Sequence, residues 1–484
     1  MTQTLSNLID GRLTAPANGR YLEVFEPATG RCYALAPDSD SADVALALTS
    51  AQQAFPDWSQ QPSTERARHM NRLADLIETR LEQFAQAESR DSGKPLQLAR
   101  NVDIPRAVAN LRFFAAAITQ WASEAHAMED RALNYTLRQP LGVVACISPW
   151  NLPLYLFTWK IAPALAAGNC VLGKPSEVTP LTAQLLAEAS IEAGFPPGVL
   201  TILHGSGAQT GQALVDHPAI KAISFTGSTR VGAQIALSAA RQFKKASLEL
   251  GGKNATLVFA DWNASEAQLD TIVRSAFANQ GQICLCGSRI LVERSIYAEF
   301  RERFVARTRA LRVGDPLLPE SDLGAVVSQA HFDKVMGCIA LAREEGGRIL
   351  TGGEAVAVPG RCENGWFIAP TVIEGLGAQC RTNQEEIFGP VVTLQPFDDD
   401  AQALALANCT NYGLAASVWT RDLTRAHRVA AGLHSGIVWI NCWMLRDLRT
   451  PFGGVKQSGL GREGGVEALR FFTETKNVCI ALDP

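Results

Sequence analysis

Leu141-Gly142-Val143-Val144-Ala145-Cys146-Ile147-Ser148-Pro149-Trp150-Asn151-Leu152-Pro153 opens the series that decides the fold. An apolar run of strand length ends there in a polar turn, and the pattern repeats. Apolar runs at 141–147, 169–173, 199–203 and 221–226 are separated by segments of helix length, such as Leu181 to Ala193. Repeated strand–helix units predict a parallel, doubly wound α/β sheet. After Gly251 a second α/β series follows, with strands near 255–259, 289–293, 391–395, 415–419 and 436–440. Upstream, the first forty residues read as short strands and turns, as at Asn18-Gly19 and Pro27-Ala28-Thr29-Gly30. Met70, Leu73, Leu76, Ile77, Leu81 and Phe84 recur at helical spacing and predict one long amphipathic helix from Thr64 to about Arg90. Phe113 and Phe114 suggest another after Pro105. Residues 124–140 and 470–484 read as strands outside both series. The last of them, from Asn477 on, has no obvious partner, so pairing with another subunit is expected.

At 484 residues the chain exceeds one ordinary core, and two or three domains are expected. A hydrophobic fraction of 47% with 19% charged residues describes a soluble globular protein. The net charge of −4 argues against a general affinity for nucleic acid or anionic membrane. No run approaches the roughly 18 apolar residues needed to span a bilayer, and the first residues lack the features of a signal peptide. Eleven scattered cysteines form no paired framework and read as reduced residues of a cytoplasmic protein. Cys284 and Cys286 make a lone Cys-x-Cys with no second pair or nearby histidine, so no metal site is expected.

Chemistry concentrates in a few strings. Asn279-Gln280-Gly281-Gln282-Ile283-Cys284 offers a thiol, and Leu248-Glu249-Leu250-Gly251-Gly252-Lys253 offers a carboxylate 35 residues earlier. A thiol nucleophile and a base are the minimum for covalent chemistry on a carbonyl. Phe225-Thr226-Gly227-Ser228 lies at a strand-to-helix turn, where backbone and helix N-terminus favour a pyrophosphate. It is not the G-x-G-x-x-G fingerprint, of which Gly205-Ser206-Gly207 is only a fragment. Gly173-Lys174-Pro175-Ser176-Glu177 follows a strand, where Lys and Glu are placed to hydrogen-bond a ribose.

Taken in this order, the strings resemble the aldehyde dehydrogenase superfamily from about residue 7 to 480. The resemblance implies an NAD domain at 1–123 and 142–250, a catalytic domain at 251–445, and a β oligomerisation arm at 124–141 and 468–484. It implies Cys284 as nucleophile, Glu249 as the base that activates water, and Asn151 with the Cys284 N–H as oxyanion donors. Cofactor contacts are implied at Trp150, Lys174, Ser176, Glu177, Gly207, Gly227 and Ser228. Glu385-Glu386-Ile387-Phe388-Gly389-Pro390 resembles the segment that holds the nicotinamide half, with Glu386 on its ribose and Phe388 beside the ring. A carboxylate at Glu177 would repel a 2′-phosphate, which favours NAD over NADP. A homodimer or homotetramer is expected.

The stretch Trp443-Met444-Leu445-Arg446-Asp447-Leu448, before Phe452-Gly453-Gly454, resembles the muconic semialdehyde dehydrogenases. Their 2-hydroxy- or 2-aminomuconate 6-semialdehyde substrates carry a carboxylate remote from the aldehyde, and the guanidinium fork suits it. The resemblance places Arg446 and Arg106, in Ile104-Pro105-Arg106, on that carboxylate, with Trp159 and Trp443 as channel walls or packing residues. Arg449 reads as structural. Three other readings stand beside this one: a dehydrogenase for succinic semialdehyde or an uncharged aldehyde, a cofactor-free hydrolase using Cys284, and a non-catalytic binding protein of the same fold.

Overall fold

The computed structural model describes residues 2–482. Met1, Asp483 and Pro484, at the outer limits of the expected first domain and arm, lie outside the described residues. An eight-stranded sheet runs in the order Gly459–Leu460, Lys245–Glu249, Ile220–Thr226, Val143–Ile147, Cys170–Lys174, Leu200–Ile202, Asn7–Ile9, Arg12–Thr14. Its five central strands are parallel, and the outer three pair antiparallel. A seven-stranded sheet has the order Arg348–Thr351, Thr371–Glu374, Val391–Phe397, Arg289–Glu293, Ala255–Val258, Ala415–Trp419, Ile437–Ile440, and only its first pair is antiparallel. The sheets are continuous through the chain at Glu249–Ala255, which leaves one and enters the other.

Burial on both faces explains the apolar runs. Every residue of Val143–Ile147 and of Cys170–Lys174 is buried. The helix Pro153–Ala166 packs over them and is itself buried at all 14 positions, as expected for a helix without a polar stripe. Tyr155, Trp159 and Lys160 are thereby carried into the interior. The order of the first sheet reverses between Val143–Ile147 and Ile220–Thr226, and open α/β sheets bind ligands in the crevice at such a reversal. The turns leaving those two strands carry Trp150, Asn151, Gly227 and Ser228.

Two local expectations need correction. The segment from Thr64 to Arg90 forms two helices, Ser63–Thr79 and Leu81–Ser92, because Arg80 leaves helical geometry at φ −103°, ψ 23°. The break lets Met70, Leu73 and Ile77 in the first helix and Phe84 and Glu88 in the second all turn inward. The C-terminal strand, Thr473–Ala481, does have a partner: it pairs antiparallel with Ala132–Pro140 over nine residues. With Ala125–Met128 these make a three-stranded sheet in which Thr473–Ala481 is an edge. Ahead of the helix Ile104–Thr119, the residues Ala99–Asp103 form a π-helical turn, which no apolar periodicity announces. No helix among the described residues is long and apolar enough to cross a membrane.

Candidate active site

Cys284 lies in the loop between the helix Glu266–Phe277 and strand Arg289–Glu293. That loop starts with a left-handed turn in which Asn279, Gln280 and Gly281 have φ of 53°, 56° and 71°. Left-handed backbone costs a non-glycine residue about 1–3 kcal/mol and persists only when its surroundings impose it. Here they do. Gln280 Nε2 donates to the Ala325 carbonyl at 2.7 Å, and Asn279 Nδ2 donates to the Asn151 carbonyl at 3.0 Å. A Cβ at position 281 would fall 2.0 Å from the Gly389 carbonyl oxygen, so only glycine fits. Beyond the turn, Asn254 Nδ2 donates to the carbonyls of Cys284 and Cys286 at 2.7 and 2.9 Å, and Trp443 Nε1 to that of Leu285 at 3.0 Å. Trp443 thus anchors the cysteine loop.

Cys284 is half-buried and borders a cavity of about 240 Å³ with Trp150, Asn151, Gly227, Ser228, Glu386 and Phe388. Burial, followed by the charges of Glu386 and Glu249, pushes its thiol pKa up, and Arg446 acts in the opposite direction. Cys286 is buried, its Sγ turned to the Ala278 carbonyl, and burial raises it to about 12. Asn151 is 3% exposed, and its Nδ2 donates to the Gln282 carbonyl at 2.9 Å. An amide nitrogen carries two hydrogens, so one remains for another acceptor.

Glu249 ends the strand Lys245–Glu249, 4% exposed, with no hydrogen-bond partner among the described residues on either carboxylate oxygen. Burial, then the charge of Glu463, pushes its pKa well above the usual carboxylate range, against the pull of Lys160. Lys160 Nζ and Glu463 Oε1 form a buried pair at 2.7 Å. The Phe452-Gly453 turn closes over this carboxylate: a Cβ at 453 would lie 2.7 Å from Glu249 Oε1.

The cleft along the first sheet gathers the remaining candidates in two groups. Ser228 caps the 13-residue helix Thr229–Arg241 beside Gly227, and that helix N-terminus faces the cavity. Glu386 accepts from the Gly252 N–H at 2.8 Å, and Trp150 packs edge-on against the Phe388 ring with centroids 5.2 Å apart. The other group lies one strand over, where Lys174 is in register with Ile147. Lys174 Nζ holds Glu177 Oε2 at 3.1 Å, and the Gly207 N–H donates to Glu177 Oε1 at 3.2 Å. Burial opposes the charge on Glu177, but Lys174 and the amides outweigh it and hold the carboxyl below its usual range. Ser176 is buried and serves a local turn, accepting from the Val178 N–H at 3.2 Å.

A second cavity, of about 880 Å³, is lined by Arg106, Phe113, Trp439, Arg446 and the loop 445–451. Arg106 and Arg446 place their guanidiniums 5.6 and 5.5 Å from the Trp159 ring. Arg446 Nη1 also donates to the Tyr155 hydroxyl at 2.7 Å, and Arg106 Nε to Asn110 Oδ1 at 3.2 Å. Arg106 Nη2 is buried and has no partner among the described residues. Neither guanidinium meets a carboxylate among the described residues, whereas Arg449 is exposed and paired with Asp447 at 2.6 Å.

Several residues at these sites escaped sequence reasoning. His331 donates from Nε2 to the Phe388 carbonyl at 2.7 Å, supporting that residue's φ of 63°, and packs on Trp150. His331, Lys334, Tyr155, Lys160 and Glu463 belong to no string with chemical meaning. For Tyr155 and Lys160 a signal existed: the helix Pro153–Ala166 that carries them has no polar stripe, and it is buried along its whole length.

The aldehyde dehydrogenase family model matches residues 14–478. Among curated relatives, a 2-aminomuconic semialdehyde dehydrogenase of Danio rerio is 49% identical over 479 residues, 98% of each chain. A 2-hydroxymuconic semialdehyde dehydrogenase of Pseudomonas sp. (strain CF600) is 45% identical over 99% of each. The crystal structure of PnpE in complex with nicotinamide adenine dinucleotide superposes with a TM-score of 0.97 at 42% identity, covering 100% of this chain and 98% of that one.

Proposed function

Since the chain belongs to the aldehyde dehydrogenase family, we propose that it oxidises a muconic semialdehyde, the 2-hydroxy or 2-amino 6-semialdehyde, to the dicarboxylic acid with NAD, in the catabolism of cleaved aromatic rings. One observation carries the substrate class: two guanidiniums without acidic partners among the described residues, one with a buried unpartnered Nη2, face an aromatic-walled cavity. Such a pair is costly unless an anion joins it. A remote carboxylate does so, and relatives of both substituent types support the reading.

The residues present fit the dinucleotide. Gly227, Ser228 and the helix N-terminus would receive the pyrophosphate. Lys174 and Glu177, with Ser176 and Gly207 beside them, would hold the adenosine ribose, and Glu386 and Phe388 the nicotinamide half beside Trp150. A Cβ at Gly251 would lie 2.4 Å from Glu386 Oε2, so glycine there leaves that carboxylate its place. Bound in this cleft, NAD supplies the acceptor for a hydride.

Cys284 adds its sulfur to the aldehyde carbon as the thiol proton passes to solvent, giving the oxyanion of a thiohemiacetal. The free Asn151 amide hydrogen and the Cys284 N–H stabilise the oxyanion. Loss of hydride from that carbon leaves a thioester on Cys284. Glu249, deprotonated, takes a proton from the attacking water, and the acid departs as the sulfur regains its proton. A base with a raised pKa suits this step, because its proton affinity lies nearer that of neutral solution.

The division into 1–123 with 142–250, 251–445, and 124–141 with 468–484 belongs to the same reading. The two large sheets support the first two units, and the free edge of Thr473–Ala481 supports the third as the arm of a homodimer or homotetramer. Steady-state NADH formation with the two muconic semialdehydes, against succinic semialdehyde and a neutral aldehyde, tests the proposal. Equal kcat/KM for all four would overturn the substrate class.

A further inference from the structure

Asn151 is fixed from a direction unrelated to substrate or cofactor. Lys94 is fully buried, and its Nζ meets three oxygens: Glu88 Oε1 at 3.4 Å, Asp103 Oδ2 at 2.5 Å and the Asn151 carbonyl at 3.1 Å. The second oxygen of Glu88 accepts from the Leu154 N–H at 3.3 Å, in the first turn of the helix Pro153–Ala166. The segment Asn151-Leu152-Pro153-Leu154 is therefore held at both ends by one ionic cluster. Glu88 comes from the helix Leu81–Ser92, Lys94 from the turn after it, and Asp103 from the last position of the π-helical turn Ala99–Asp103. Asp103 is buried at the end of that turn, and π turns of this kind are frequent at functional sites.

An oxyanion donor works only when preorganised within hydrogen-bond reach of the developing charge. A buried ion cluster adds little net stability, because desolvation offsets most of its attraction. Its distinctive contribution is geometric. We propose that Lys94, with Glu88 and Asp103, is a positioning residue that clamps the Asn151 main chain so that the side-chain amide meets the oxyanion formed at Cys284. The clamp rests on the assignment of Asn151 as oxyanion donor, and the experiment separates the two.

Hydrolysis of p-nitrophenyl acetate reads the clamp without cofactor. Cys284 Sγ forms a bond to the acetyl carbon, the bond from that carbon to the phenolic oxygen breaks, p-nitrophenolate leaves, and water then releases acetate and the thiol. Alkylation of Cys284 by iodoacetamide reads the same sulfur through a displacement that develops no oxyanion. Lys94→Met should slow ester cleavage roughly 10- to 100-fold and leave the alkylation rate within about twofold of the parent. Asn151→Ala should slow ester cleavage at least as much, and Lys94→Met added to it should cost nothing further. Equal losses in both reactions, or losses that multiply with Asn151→Ala, overturn the clamp. Normal ester cleavage by Asn151→Ala would instead sink the oxyanion assignment itself. If Lys94→Met does not fold, the triple variant Glu88→Gln/Lys94→Met/Asp103→Asn leaves no unpaired buried charge and carries the same expectations.

Discussion

Replacing Arg446 by alanine should change which aldehydes the enzyme prefers more than it changes how well the chemistry runs. The guanidinium makes one hydrogen bond among the described residues, to the Tyr155 hydroxyl at 2.7 Å, and lies 4.0 Å from the centre of the Phe452 ring. With no carboxylate on it, most of its donors are free for substrate. A charge-assisted hydrogen bond contributes about 1.5–3 kcal/mol, so Arg446→Ala should lower kcat/KM for a carboxylated semialdehyde by roughly 10- to 150-fold. Part of any loss will be common to all aldehydes. Arg446 opposes the upward shift of both Cys284 and Glu249, and its contact with Phe452 supports the neighbouring turn. Cation–π contacts of this kind are worth about 0.5–1 kcal/mol, which sets a shared loss of roughly two- to fivefold. The quantity to measure is therefore the ratio of kcat/KM for a muconic semialdehyde to that for a small neutral aldehyde. It should fall at least tenfold in Arg446→Ala and in Arg106→Ala, and by less than the product in the double variant if both arginines share one carboxylate. Arg446→Lys should restore only part, because a point charge cannot reproduce the guanidinium fork. An unchanged ratio would mean that Arg446 holds the fold or the chemical centre, and the dicarboxylate reading would lose its main support.

The chemical assignments are open to equally direct tests. Cys284→Ala should abolish NADH formation while cofactor binding, followed by fluorescence titration, persists, and Cys286→Ala should keep most activity; the reverse pattern would move the nucleophile. In Glu249→Gln, rapid mixing should show one burst of NADH per active site and then very slow turnover, whereas steady turnover without a burst would point to another base. Because burial and Glu463 raise the Glu249 pKa, the carboxyl is protonated and idle as a base at low pH. Thioester hydrolysis should therefore rise with pH through a value above the ordinary carboxylate range, and a limb at the ordinary glutamate value would contradict the buried-base account. Glu177→Gln should narrow the gap in kcat/KM between NAD and NADP, and a parent enzyme that already uses both equally would remove Glu177 from the adenosine ribose.

Much of this architecture is legible in the chain. Nine strands stand out by their apolar runs, since central parallel strands are buried on both faces and read as continuous hydrophobic segments. The edge strands Arg348–Thr351 and Gly459–Leu460 are short and partly exposed, and no such run marks them. The break at Arg80 was invisible because the apolar spacing continues through it, and backbone geometry at one residue decides it. At the site, Cys284 and Glu249 stand in strings that name themselves. Lys94, Glu88 and Asp103 do not, because isolated charges read as solvated surface, and only the fold reveals that all three are inside.

Arg446 and Gly453 stand seven residues apart on the same loop, one facing the second cavity and the other pressed against Glu249. If Arg446 selects the substrate and Glu249 drives hydrolysis, as proposed, selectivity and turnover are not separable modules here. A loop exchanged to admit a different aldehyde would have to keep the spacing and the glycine that leave the base its room. A graft one residue too long would probe the reaction step before it ever reported on preference. Directed evolution of this loop should therefore yield many inactive variants and few with merely altered choice, and the productive ones should concentrate upstream of Phe452.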